Sequence, residues 1–432
     1  MNKLVILICL MVFESSIAQD IFTFQSCLDT ALQYNLSIRQ QQIIEKNYKL
    51  NSKRAQDARL PNISGYTNAN ASWGRGIDPF TNTYANQQFN TYNGGLNLDL
   101  NLFNGFYHIN NIKIQKQDLE KNKSEWMKVK NDLTIDIAFR YTNILYLQEM
   151  IKNLKEQVVI SQANVKFTEK RIEAGTLAKR EVYKAMAQKD NEELNLIRAE
   201  NDCETNMVEL KILMGVDITR NIQLKEIAIS SISAEDKTNF IKSAVENSPS
   251  LKIQQTNLEK SELNLAMTKS SYYPTISLGS QIGSTYSTFN RQFNFEQQVD
   301  NNLSYGFNIN ARIPIFSQFQ TRNKVAEAKY NIQSNQLQYE TEFQNQIKIF
   351  NKAFLDFAAS QKKYEVSKSS LYSNQLNYDT EKLKYEAGRI ALQELNTSKS
   401  NLVSSISNNV KEKYEMLFNS LVLKIYDGSF VK

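Results

Sequence analysis

The sequence predicts a mixed α and β membrane protein built from two tandem repeats, each with a pair of bilayer-length strands and a long helical hairpin. Three observations carry this reading. Short matches recur at a constant offset of 213 residues, apolar and polar residues alternate between Pro61 and Phe103 and again before Phe316, and four long stretches contain no glycine.

The chain opens like an export signal: Lys3 is the positive start, LVILICLMVF the apolar core, and Ser16 and Ala18 the small residues at the cleavage positions. Residues 1–18 are expected to be removed, with maturation near Gln19. The apolar run is about half the roughly 20 residues of a spanning helix, and no other segment approaches that length, so membrane insertion has to use strands. Cys9 falls in the signal. Cys27 and Cys203 remain in an oxidising compartment, either as two thiols or as a disulfide. The net charge of +6 is spread without a basic run, which argues against a nucleic-acid partner.

At the 213-residue offset Ala31 meets Ala244, Leu50-Asn51 meets Leu263-Asn264, Pro61 meets Pro274, Ile63-Ser64 meets Ile276-Ser277 and Phe103 meets Phe316. Glu173-Ala174-Gly175 meets Glu386-Ala387-Gly388, and Gly215 meets Gly428, with no gap anywhere. The expected divisions are repeat 1 over 19–215, with a strand pair at about 62–103 and a hairpin at about 107–214, and a linker over 216–240. Repeat 2 follows over 241–432, with a strand pair at about 275–316 and a hairpin at about 318–427.

Glycine is absent from 106–174, 176–214, 307–387 and 389–427, which suits four long helices. The first, from about Tyr107 to Glu173, would extend roughly 100 Å at 1.5 Å per residue. Ile144, Ile151, Val158, Val165 and Ile172 follow one another at intervals of seven, as do Phe357, Tyr364, Leu371, Tyr378 and Tyr385. That spacing marks helices packed lengthwise in a left-handed coiled coil, with the helix after each glycine as partner. Gly175 and Gly388 are therefore read as left-handed caps that turn the chain back.

The strands follow from period two. GLNLDLNLF puts Leu96, Leu98, Leu100 and Leu102 on one face and Asn97, Asp99 and Asn101 on the other. Leu303, Tyr305, Phe307, Ile309, Ala311, Ile313 and Ile315 alternate likewise with Ser304, Asn308, Asn310 and Arg312, and Ile276, Leu278, Ile282 and Tyr286 with Ser277, Gln281 and Thr285. Strands of this length cross a bilayer when tilted. Phe103, Phe106 and Tyr107 in one repeat, and Tyr272, Tyr273, Phe316 and Phe319 in the other, suggest an interfacial girdle. A soluble sheet with one packed face is the other reading of the same pattern. Four strands in lipid leave open edges, so the barrel has to close by oligomerising, with eight strands from two chains or twelve from three.

These residues resemble the TolC family of trimeric outer-membrane channel proteins. The likeness rests on CLDTALQYN from Cys27, the LPNIS and YPTIS starts of the strand pairs, LNLFNGF ending at Phe106, the two EAG tips, and LMG at Gly215. GRGIDPFTNTY, from Gly74 to Tyr84, resembles a loop in part of the family. The resemblance implies a homotrimer with a twelve-stranded outer-membrane β-barrel continued by a twelve-helix periplasmic α-barrel. It implies a passive exit duct for an efflux pump or type I secretion system, whose partners are a periplasmic adaptor (a membrane fusion protein), an inner-membrane pump or secretion transporter, and outer-membrane lipid. Carried over residue by residue, Tyr385 and Glu394 are gate or selectivity candidates. Gly175, Thr176, Leu177, Gly388, Arg389 and Ile390 are adaptor-contact candidates at the tips. Glu181, the first-repeat counterpart of Glu394, is expected in the groove between hairpins. Thr397 and Ile390 depart from the acidic residue and the arginine that some members carry there.

An enzyme reading lacks parts. His108 is the one histidine, Cys27 and Cys203 have no zinc-ligand spacing, and WGRGIDPF lacks the phosphate-loop pattern. No catalytic residue, metal or cofactor is expected. A periplasmic coiled-coil adaptor or scaffold would share the signal and hairpins, but has no use for bilayer-length amphipathic strands.

Overall fold

The computed structural model describes residues 20–77, 83–86, 88–227 and 236–429. The export signal, Cys9, Pro79 and part of the 216–240 linker lie outside the described residues. In chain order, strand β1 (Asp20–Phe22) precedes helices α1 (Phe24–Tyr34) and α2 (Leu36–Asp57). Strands β2 (Asn62–Ser72), β3 (Arg75–Ile77), β4 (Tyr84–Asn86) and β5 (Phe89–Asn104) follow, then helices α3 (Tyr107–Glu173) and α4 (Arg180–Met214). After β6 (Ile222–Leu224) come α5 (Lys237–Asn247), α6 (Pro249–Lys269), β7 (Thr275–Ser287), α7 (Phe295–Asn301), β8 (Ser304–Arg312), α8 (Gln320–Glu386) and α9 (Leu392–Tyr426). Helices α3 and α8 have 67 residues each, α4 and α9 35 each. Among the described residues no helix is long and apolar enough to cross a membrane.

The chain forms two compact units. One comprises Gln42–Glu125 and Pro249–Gln344 and holds an antiparallel sheet in the order β2-β5-β7-β8. Its register aligns Ile63, Leu98, Ser280 and Phe307, then Gly65, Leu96, Ile282 and Tyr305, then Leu100, Leu278 and Ile309, on one face. The other face carries Asn62, Asp99, Gly279 and Asn308, and Ser64, Asn97 and Gln281. Phe307 is 80% exposed and Tyr305 83%, far beyond what a packed sheet face shows. The soluble-sheet reading fails on that point.

Two departures from the expected strands have local causes. A bulge between Asn101 and Phe103 sets Leu102 outside the pairing, so Phe103 rather than Leu102 stands opposite Ile276. The last strand stops at Arg312, short of Ile313 and Ile315, because Pro314 has no N–H to offer a ladder. Both strand-to-helix junctions place two consecutive residues in left-handed backbone: Gly105 (φ 64°) and Phe106 (φ 68°) before α3, Gln318 (φ 52°) and Phe319 (φ 60°) before α8. Their aromatics meet edge to face, Phe103 with Phe106 at 5.2 Å and Phe316 with Phe319 at 5.5 Å between ring centres. Asn104 Oδ1 accepts the His108 backbone N–H at 3.3 Å in the first turn of α3. Helix α7, seven residues long, is too short for periodicity to mark it in the sequence. Its Gln298 is buried and joins the end of β7 to the loop, accepting from the Ser287 N–H at 3.0 Å and donating to the Asn290 carbonyl at 2.8 Å.

Among the described residues, the other unit comprises 20–41, 126–227, 236–248 and 345–429. Within it α3 runs antiparallel to α4, as Arg140 beside Asn206 at 3.0 Å and Lys155 beside Glu200 at 2.9 Å establish. The α8–α9 pair repeats the arrangement through Asn409 and Ser367 at 3.0 Å and Lys363 and Glu415 at 3.2 Å. Helix α9 also lies along α3, with Lys413 2.8 Å from Glu149 and the Phe139 and Phe418 rings 5.6 Å apart. The heptad residues Ile144, Val165 and Phe357 are buried and the other seven half-buried, and none is exposed.

The core of this unit gathers Phe24, Cys27 and Leu28 of α1 around Ile137, Tyr141 and Ile144 of α3 and Leu210 and Met214 of α4. Here the chain forms a parallel pair, β1 with β6, that periodicity did not announce. The Tyr141 hydroxyl lies 3.1 Å from the Phe22 carbonyl and 2.5 Å from the Lys225 carbonyl, which pins both strands to α3. Cys27 and Cys203 are free thiols. Burial pushes the Cys27 thiol up to about 12, so it stays protonated and unreactive at neutral pH.

Candidate functional site

The tips of the two helical hairpins are made alike. Gly175 (φ 73°) donates to the Ile172 carbonyl at 2.9 Å and Thr176 N–H to the Arg171 carbonyl at 2.9 Å. Gly388 (φ 69°) and Arg389 repeat both bonds to Tyr385 and Lys384, at 3.0 and 2.8 Å. This pair of bonds satisfies the last helical carbonyls and needs a left-handed residue, where a Cβ is unfavourable by roughly 1–2 kcal/mol. A Cβ on either glycine would meet nothing within 4 Å, so backbone conformation alone demands glycine here. Thr176 adds a hydroxyl bond to the Arg171 carbonyl at 2.8 Å. Gly175, Thr176, Gly388 and Arg389 are exposed, and Leu177 and Ile390 half-buried.

Behind the tips the two hairpins touch. Arg171 of α3 donates to the Tyr385 hydroxyl of α8 at 3.3 Å, and its guanidinium carbon lies 5.9 Å from the Tyr385 ring centre and 5.8 Å from that of Phe167. Sequence reasoning picked out Tyr385 but missed Arg171. The arginine sits next to the heptad residue Ile172, and nothing in its local pattern distinguishes it from an ordinary basic residue in the last turn of a helix.

Glu394 lies in the first turn of α9 and is exposed. Glu181 occupies the equivalent position of α4 and differs in its surroundings. Lys184 at 3.1 Å and Arg180 at 3.1 Å bind its carboxylate and hold it below the usual carboxylate range. At the matching places beside Glu394 stand Gln393 and Thr397, which are neutral. One repeat thus neutralises its acid locally, while the other lacks both cations.

Further from the tips, Ser161 of α3, Glu192 of α4 and Lys399 of α9 form a buried cluster. Lys399 Nζ lies 2.9 Å from the Ser161 hydroxyl and 3.1 Å from the Glu192 carboxylate. Ser161 donates to the other carboxylate oxygen, and Gln188 donates to Glu192 at 2.9 Å. Ser161 is 2% exposed, Glu192 5% and Lys399 8%. Among the described residues no cluster of His, Cys, Asp and Glu is placed to hold a metal.

The outer membrane efflux protein family matches the chain twice, over residues 27–216 and 240–429, and the two segments begin and end 213 residues apart. The fold is similar to that of VceC from Vibrio cholerae, an outer membrane protein, at TM-score 0.81 and 14% identity over 94% of this chain and 96% of that one. It is similar to the CmeC outer membrane channel of Campylobacter jejuni at TM-score 0.81 and 16% identity, over 94% and 85% of the two chains. The MtrE outer membrane channel of Neisseria gonorrhoeae, solved in an open state, gives TM-score 0.76 and 16% identity over 94% and 88%. No curated protein sequence matches the chain.

Proposed function

The chain belongs to the outer membrane efflux protein family, the TolC-like channels of the outer membrane, and from that premise we propose how its parts make a duct. Three copies join β8 of one chain to β2 of the next and close a twelve-stranded barrel, because a four-stranded sheet leaves two unpaired edges that hydrocarbon does not tolerate. The face bearing Leu96, Ile282, Tyr305 and Phe307 meets lipid, and the face bearing Asn97, Asp99, Gln281 and Asn308 lines the lumen. The four long helices of each chain supply a twelve-helix periplasmic barrel. The protein performs no chemistry and conducts passively.

In this reading the exposed tip residues Gly175, Thr176, Gly388 and Arg389, with Leu177 and Ile390 beside them, dock a periplasmic adaptor that links the duct to an inner-membrane pump or secretion transporter. Tyr385 and Glu394 form the gate. Tyr385 is held by Arg171, and Glu394, without the cations that neutralise Glu181, contributes one carboxylate per chain to a ring that favours cations. Residues 1–18 act as the export signal, and 216–240 join the repeats.

The observation that carries this reading is the exposed, aromatic-rich face of an open four-stranded sheet in a chain that also holds two 67-residue helices. Imaging of the detergent-extracted particle tests it. The expected object is threefold and about 140 Å long, from roughly 100 Å of helix and roughly 40 Å of membrane region. A compact particle, or one soluble without detergent, would overturn the barrel.

A further inference from the structure

The buried Ser161–Glu192–Lys399 cluster is absent from the other repeat. The positions 213 residues away are Asn374, Ser405 and Met186, none of them charged. The cluster is therefore not a packing habit inherited with the fold. It stands at one particular contact, where α9 of the second hairpin lies on α3 and α4 of the first, and Lys399 is five residues past the gate candidate Glu394.

We propose that Ser161, Glu192 and Lys399 are positioning residues of the gate, a fixed pivot about which the tip end of α9 swings. The inference rests on the duct reading above. Its physical basis is the contrast between two contacts that join the same pair of hairpins. The Arg171–Tyr385 bond is 3.3 Å long between half-buried partners, so it is much the more easily broken of the two. Separating Lys399 from Glu192 would instead strand two almost fully buried charges, which is far less favourable than keeping them paired. Movement that opens the tip therefore ends at the level of this cluster. On α9 the movable part reaches only from Leu392 to about Ser398, and Glu394 lies within it.

Conductance of the full-length trimer in planar bilayers, recorded for Lys399→Met, tests the role. Removing the ammonium leaves the Glu192 carboxylate buried with only Ser161 and Gln188 as donors, so arrangements that lift α9 and admit water become favoured. The expected result is an open-state population at least about tenfold higher than in the parent protein. The charge-swapped double variant Glu192→Lys with Lys399→Glu should return the population toward the parent value. The Ser161 hydroxyl can donate to a carboxylate and accept from an ammonium in either order. A residue that merely stabilised the helices would lower the trimer's melting temperature without moving the open population. Should Lys399→Met fail to assemble, Ser161→Ala provides the milder test, with a smaller shift in the same direction. Assembled trimers of either variant with the parent's open population would overturn the positioning role. Absence of any channel from the parent protein would overturn the duct reading itself, and the pivot with it.

Discussion

Replacing Tyr385 with phenylalanine removes one oxygen atom and leaves the ring in place, which makes it the sharpest probe of the tip. The lost contact is the Arg171 donor bond at 3.3 Å. Its length and half-exposed setting place it near about 1 kcal/mol, below the range for well-formed bonds to charged groups. Three copies surround the axis of the proposed trimer, so the tie contributes about 3 kcal/mol in all if the copies act independently, and its loss shifts the closed-to-open ratio roughly a hundredfold. Arg171→Ala removes the bond and also the cation–π contact of the guanidinium with the Tyr385 ring across the hairpins, a further ~0.5–1 kcal/mol per chain, and should open the channel by at least about another factor of ten. Single-channel recordings of the two variants beside the parent protein measure both ratios. If Tyr385→Phe matches the parent while Arg171→Ala opens, the cation–π contact holds the tip and the hydrogen bond does not. If neither differs from the parent, the tie has no part in the gate.

Glu394→Gln should reduce the cation preference of the channel, measured as the reversal potential across a salt gradient, whereas Glu181→Gln, at an acid already matched by Arg180 and Lys184, should leave it nearly unchanged. Equal effects of the two substitutions would remove Glu394 from the ring. Proline at Gly175 or Gly388 is incompatible with φ near +70° and deletes a cap bond of 2.9 or 3.0 Å, so transport in cells should fall to background while trimers still form. Normal export by either variant would show that the tips do not dock the adaptor.

Much of this architecture was legible in the sequence because it is periodic. Ile144 to Ile172 and Phe357 to Tyr385 announce their coiled-coil seam at intervals of seven, and Leu96, Leu98 and Leu100 announce a sheet face at intervals of two. The tip glycines stand out because nothing else interrupts the helices. What could not be read has no period. Strands β1 and β6 are three residues each, lie about 200 positions apart, and depend on the buried Tyr141 hydroxyl, a contact that only the folded chain creates. Gln318 takes a left-handed conformation where the first repeat has Gly105, so the residue type that would have signalled the turn is missing. The gate candidates follow from the resemblance, while Arg171, the partner of Tyr385, and the Ser161–Glu192–Lys399 cluster do not. Each member of these groups is an ordinary polar residue until the fold brings its helices together, two at Arg171 and three at the cluster.

Helices α3 and α8 match in length to the residue, and their ends fall at the same places in the two repeats. That equality limits how such a molecule is lengthened or shortened. Deleting one residue from α3 would turn everything beyond it by about 100° and draw it back about 1.5 Å, which carries the apolar stripe off its neighbours and leaves the two tips at unequal depths. A change of seven residues nearly restores the rotation, but only if all four long helices change together and at the same level. The reach of the duct is therefore adjustable in heptad steps of roughly 10 Å, and an engineer fitting it to a wider or narrower compartment would have to insert four matched heptads in each chain rather than extend any single helix.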